Sequence, residues 1–125
     1  MKNAKMTLWG KTVSLPVSYN LYPGEEILPA QEEALRWLLT DTAAKAAAKR
    51  HAERYIRKDP AAELPPEGIT NLFDWVTPTA VFIPHENNRL TAAILCEYAF
   101  DPEHGLAIVF DGGKFKAVGP QDIIL

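Results

Sequence analysis

The alternation of apolar and polar positions changes period along the chain, and each change marks a predicted element. Met6–Trp9 and Thr12–Val17 are short β-prone runs separated by Gly10 and Lys11, which predicts an N-terminal hairpin. Pro16 lacks an amide hydrogen, so the second strand is expected to lie at a sheet edge or to end early. "YPGEE" reads as loop. From Pro29 the period becomes helical: Ala34, Leu35, Leu38 and Leu39 form one apolar stripe, with Trp37 off it. Proline suits a first helical turn, and the acids that follow suit the positive end of the helix dipole. Thr40 or Asp41 then either caps a second helix, "TAAKAAAKRHAERYIRK", or marks a bend in one long helix. Its alanines have the highest helix propensity available. Ala44, Ala48, Ala52, Tyr55 and Ile56 recur at helical spacing and are expected to face the core, until Pro60 ends the segment.

"DPAAELPPEGIT" is a proline-rich loop, and "NLFDWVTP" is either a short helical turn or extended. Ala80–Ile83, Leu90–Phe100, Leu106–Phe110 and Phe115–Val118 are then predicted strands, with "PQDIIL" a candidate for a last one. "DGGK" joins two of these runs, and Asp-Gly between apolar stretches is a strong hairpin signal. The order of strands, helices and antiparallel meander predicts an α+β fold: one sheet, with the helices on one face. At 125 residues the chain fits one domain over 1–125 and can bury a core without staples.

Composition narrows the function classes. Hydrophobic residues make up 47% and charged residues 23%, ordinary for a globular protein, and the net charge of −3 gives no overall attraction to nucleic acid or anionic membrane. The single cysteine, Cys96, lies in the apolar run "TAAILCEYAF" and reads as a small buried hydrophobe, not a nucleophile. A chain with no disulfide framework, no signal-peptide pattern and no apolar run near the roughly 18 residues of a membrane span is expected in the cytoplasm.

Two clusters are candidates for function. Asp101, Glu103 and His104 in "DPEHG" combine groups that coordinate divalent metals or share a proton near neutrality. Neighbouring ligands rarely close a coordination shell without remote partners, and only His85, Glu86, Glu97 and Asp122 are on offer. Asp101-Pro102 favours a turn and Gly105 supplies unusual backbone geometry, so a structural turn outweighs a binding surface, and both outweigh catalysis or a metal site. The second cluster is on the second predicted helix, where Arg50, Arg54, Arg57 and Lys58 fall near one stripe. Such a stripe is the footprint of a phosphate-contacting helix, but also of an ordinary solvated face. An acidic protein fits it as well as nucleic acid does, and the net acidity of the chain disfavours nucleic acid.

His51 is expected to be a partly buried packing residue and His85 an exposed loop residue. Trp9, Trp37 and Trp75 are expected in the core or at its edge. No P-loop, Rossmann, nucleophile-elbow or zincin pattern occurs, so no catalytic residue, metal or cofactor is assigned.

Three pieces of the chain carry a likeness: "PAQEEAL" at Pro29–Leu35, "DPEHGLAIVF" at Asp101–Phe110 and "VGPQDI" at Val118–Ile123. Together they resemble a family of small bacterial domains of unknown function that closes on a D-x-E-H-G hairpin followed by V-G-x-x-D. Where that family commonly has tryptophan before the aspartate, this chain has Phe100. The resemblance implies no activity. Small domains of this kind are sometimes encoded beside toxins as immunity proteins, which implies binding in place of catalysis. The leading expectation is therefore a binding protein whose partner is another protein, with no membrane partner. The rival is a metal-dependent or hydrolytic enzyme built on Asp101, Glu103 and His104. An exposed edge at Val17 or at Ile123–Leu125 would allow a homodimer.

Overall fold

The computed structural model describes residues 3–85 and 89–125. The chain folds as α+β. Strands β1 (Asn3–Leu8) and β2 (Lys11–Tyr19) form a hairpin and are followed by helices α1 (Pro29–Thr40) and α2 (Thr42–Lys58). Strands β3 (Val76–Ile83), β4 (Ala92–Tyr98), β5 (Leu106–Asp111) and β6 (Lys114–Gly119) complete one six-stranded sheet in the order β1-β2-β3-β4-β5-β6. All neighbours are antiparallel except β2 and β3, which run parallel because the two helices carry the chain back across one face.

Several elements depart from their sequence expectation for identifiable reasons. The first hairpin turns on Trp9 and Gly10, not on Gly10 and Lys11, with Leu8 paired to Lys11. Both turn residues have positive φ, 53° and 81°, the primed geometry that matches strand twist. Pro16 neither ends β2 nor puts it at an edge. Lys11–Pro16 pairs with β1 and Val17–Tyr19 with β3, so the residue without an amide hydrogen falls where the strand changes partner. Val17 is paired to Val81, and Ile123 lies in a 3-10 turn (Gln121–Ile123), not in a last strand. Strand β3 begins at Val76, before the predicted Ala80, because a register shift between Pro78 and Ala80 absorbs the proline. A 3-10 turn at Leu72–Asp74 leads into it.

Asp41 decides the helix question in favour of two helices. Its carboxylate accepts the Ala44 amide hydrogen at 2.8 Å, the N-cap bond of α2, and the Trp37 indole N–H at 3.0 Å. Its own amide donates to the Trp37 carbonyl at 2.9 Å and closes α1. The ammonium of Lys45, a buried residue, reaches back to the Leu39 carbonyl at 3.0 Å, supplying an orphan acceptor of the last turn of α1. The main core lies between helices and sheet. It takes Ala34, Leu35 and Leu38 from α1, and Ala44, Ala48, Ala52 and Ile56 from α2. Leu39 and Tyr55 are only half-buried, and Trp9, Trp37 and Trp75 pack at the core's edge. A smaller apolar cluster of Ala93, Ala107 and Val109, flanked by Phe82, Leu95, Ala117 and Ile124, occupies the opposite face.

Gln31 holds the crossover in place. It is fully buried, and its Oε1 accepts the Leu28 amide hydrogen at 3.0 Å. Its amide nitrogen donates to the carbonyls of Asn20 at 2.9 Å, Pro84 at 3.3 Å and Ile83 at 3.4 Å. The start of α1, the end of β2 and the end of β3 thus meet on one side chain. Replacing it by leucine takes this partner from the Leu28 amide and from the Asn20 and Pro84 carbonyls, while the Ile83 carbonyl keeps the Asn20 amide. The cost is about 1–3 kcal/mol for each group that water cannot reach. Gln31→Leu is therefore expected to lower unfolding free energy by about 3 kcal/mol in urea titration. An unchanged midpoint contradicts this role.

Candidate functional site

The segment Asp101–Gly105 joins β4 to β5 and bonds to itself. The Asp101 amide donates to the Tyr98 carbonyl at 3.2 Å and the Gly105 amide to the Asp101 carbonyl at 2.9 Å. His104 Nδ1 lies 3.1 Å from both carboxylate oxygens of Asp101, and the His104 amide donates to Oδ1 at 3.3 Å. Gly105 takes φ 63°, and a Cβ there would come within 2.7 Å of Gln121 Nε2 and 2.8 Å of the Cys96 carbonyl. Gln121 fills that space: its Nε2 donates to the Cys96 carbonyl at 3.0 Å, and its amide donates to the His104 carbonyl at 3.1 Å. Gly105 is therefore needed for close approach as well as for its backbone angle.

Glu103 and His104 are exposed, and the remote groups named as their helpers lie elsewhere or only nearby. His85 stacks on Tyr22 and pairs with Glu25 at 2.8 Å, and Glu97 is exposed on β4. Only Asp122 is close enough for its charge to act on His104. Glu86 lies outside the described residues. Among the described residues no three His, Cys, Asp or Glu side chains are grouped to hold a metal ion. Cys96 is fully buried, which pushes its thiol well above the usual range and keeps it from being a nucleophile.

The second cluster lies on the outer face of α2. Arg50, Arg54, Arg57 and Lys58 are all exposed, and none of them forms an ion pair among the described residues. Lys49, on the same helix, is bound to Glu53 at 3.3 Å. His51 departs from expectation. It is exposed, and its ring stacks on Phe115 of β6 at 4.1 Å between centroids and 5° between planes. This stack floors a groove of about 280 Å³ between α2 and β6, lined also by Arg54, Tyr55, Lys58 and Val118.

Three features of this region escaped the sequence reading. Tyr98 is buried and its hydroxyl donates to Asp59 at 2.7 Å; burial first, then that bond, raise its phenol far above the usual range. Tyr55 packs edge-on to Tyr98, and Asp101 lies close enough for its charge to act on both rings. The acidic turn and the C-terminal end of α2 are therefore neighbours. Finally, Trp9, Lys45, Lys49 and Arg50 border a cleft under the first hairpin. These pairings join residues distant in sequence, and no local pattern announces them.

The bond from His104 to Asp101, then the charges of Asp101 and Glu103, raise the His104 pKa above its ordinary value of about 6.5. A raised histidine contributes stability that is fully present below its unfolded pKa and lost as pH rises through the folded value. NMR titration of the ring is expected to give a pKa above 6.5 that falls back in Asp101→Asn. A wild-type value at or below 6.5 contradicts the pairing.

A family model described as a domain of unknown function, DUF6985, matches residues 2–125. No curated protein and no solved structure matches the chain. No helix among the described residues is long and apolar enough to cross a membrane. The match extends over the hairpin, both helices and the meander alike, and the chain therefore belongs to the DUF6985 family of domains of unknown function.

Proposed function

We infer that the protein is a non-catalytic binding domain whose partner is another protein with an acidic surface, recognised by the outer face of α2. The observation that carries this reading is the set Arg50, Arg54 and Arg57, spaced so that all three share one helix face, exposed and without carboxylate partners among the described residues. Unpaired cations of this kind raise encounter rates with acidic partners and set orientation. Arginine has the further advantage of a planar fork that binds carboxylates bidentately. The groove beside them adds the apolar component that charge alone lacks: Tyr55, Phe115 and Val118 next to Arg54 and Lys58. Interfaces of aromatic anchors ringed by polar groups hold partners in this way.

Inhibition of a toxin, which the family resemblance implies for such domains, is one form such binding takes. Enzyme chemistry at Asp101, Glu103 and His104 has less support. The imidazole and the aspartate satisfy each other on an exposed turn.

Affinity capture from the native host tests the reading, with wild type and Arg54→Glu/Arg57→Glu side by side. Both positions are exposed, so each change is expected to cost no more than about 0.5 kcal/mol, and the variant to keep its fold and melt within about 5 °C of the wild type. The wild type is expected to retain a protein that the variant retains at least tenfold less. Retention of nothing, or equal retention, contradicts it.

A further inference from the structure

We propose that the cleft beneath the first hairpin is a binding site for a small aromatic anion, its flat apolar body beside Trp9 and its carboxylate or phosphate meeting Lys49 and Arg50. The cleft has a volume of about 450 Å³, within the range of small-ligand sites. Thr7 and Trp9 from the hairpin form one side, and Thr42, Lys45, Lys49 and Arg50 from α2 the other. Its walls are mostly apolar, and its charged groups are all cations, with Glu53 set against Lys49 alone.

Trp9 is the unusual member. A two-residue primed turn favours asparagine or glycine at this position, and a bulky residue at φ 53° is strained. Strain retained at one point is a reason to look for a role there. The indole N–H is committed to the Lys45 carbonyl at 3.2 Å, and Phe73 packs against the ring at 5.3 Å. The ring is therefore held rigidly and lines the cleft as an apolar surface, not as a donor. The Lys45 ammonium is committed to the Leu39 carbonyl and adds positive field from beneath. Direct contact with an anion falls to Lys49 and to the exposed Arg50, which has no internal carboxylate partner among the described residues. A rigid aromatic wall beside fixed positive charge selects a ring that bears an anionic group over either part alone. The cleft shares Arg50 with the protein-binding face, but Arg54 and Arg57, the positions that test that reading, do not line it.

Phenyl phosphate and phenylacetate, with inorganic phosphate and benzyl alcohol as the charge-only and ring-only controls, test the site by NMR of the indole N–H groups. Trp9→Phe assigns the Trp9 signal among the three tryptophans. At least one aromatic anion is expected to shift that signal saturably, with each control at least tenfold weaker. Response to phenyl phosphate alone identifies a phosphate ligand, to phenylacetate alone a carboxylate ligand, and either result supports the site. Arg50→Glu, an exposed change that leaves the core untouched, is expected to weaken binding at least tenfold. No saturable shift with either anion, equal response to benzyl alcohol, or indifference to Arg50→Glu overturns the proposal.

Discussion

Everything on the helical face depends on the buried amide of Gln31. A parallel strand pair needs a crossover, and here the crossover is two helices that must return β3 to the flank of β2 in the correct register. Gln31 satisfies groups from all three segments at once, and the Asn20 amide adds a bond to the Ile83 carbonyl at 2.9 Å. A polar side chain is costly inside a core unless its hydrogen bonds are made. Satisfied as it is, this one specifies a single arrangement of α1 against the sheet.

From α1 the geometry passes to α2 through one residue. Asp41 closes one helix, opens the next and holds the Trp37 indole, while Lys45 returns to the end of α1. Packing alone holds α2 weakly, because its buried face is mostly alanine and each buried methyl is worth only about 0.8 kcal/mol. Ile56 is its one large, fully buried apolar side chain. Small side chains allow close approach to the sheet, while the opposite face is left to long cations. The same helix thus borders the cleft under the hairpin and the groove against β6. Its charge is available because its apolar content is low.

The elements that local chemistry controls could be read from the residues. The Gly112–Gly113 turn, with φ of 67° and 80°, needs a geometry that glycine adopts freely, and "DGGK" announced it. Helical alanines and β-branched strands were equally legible. What stayed hidden was non-local. Trp9 in a positive-φ turn follows no local preference, and Pro16 and Pro78 are tolerated only because a partner change and a register shift fall where they sit. Gln31 occupies the capping-box position, but Leu28 stands where serine or threonine would complete the signature, so half the signal was missing. At the candidate sites the charge stripe of Arg50, Arg54 and Arg57 could be read from helical spacing. The His51–Phe115 stack and the Tyr98–Asp59 bond join residues 64 and 39 positions apart, and needed the fold.

In the proposed binding mode α2, not the 101–105 turn, is the surface that meets the partner. Hydrogen–deuterium exchange on the protein with and without its captured partner separates the two most directly. Slowed exchange at residues 50–58 and 115–118, with the turn at 101–105 unchanged, is the predicted result. Protection confined to residues 101–105, with α2 exchanging as in the free protein, would contradict it.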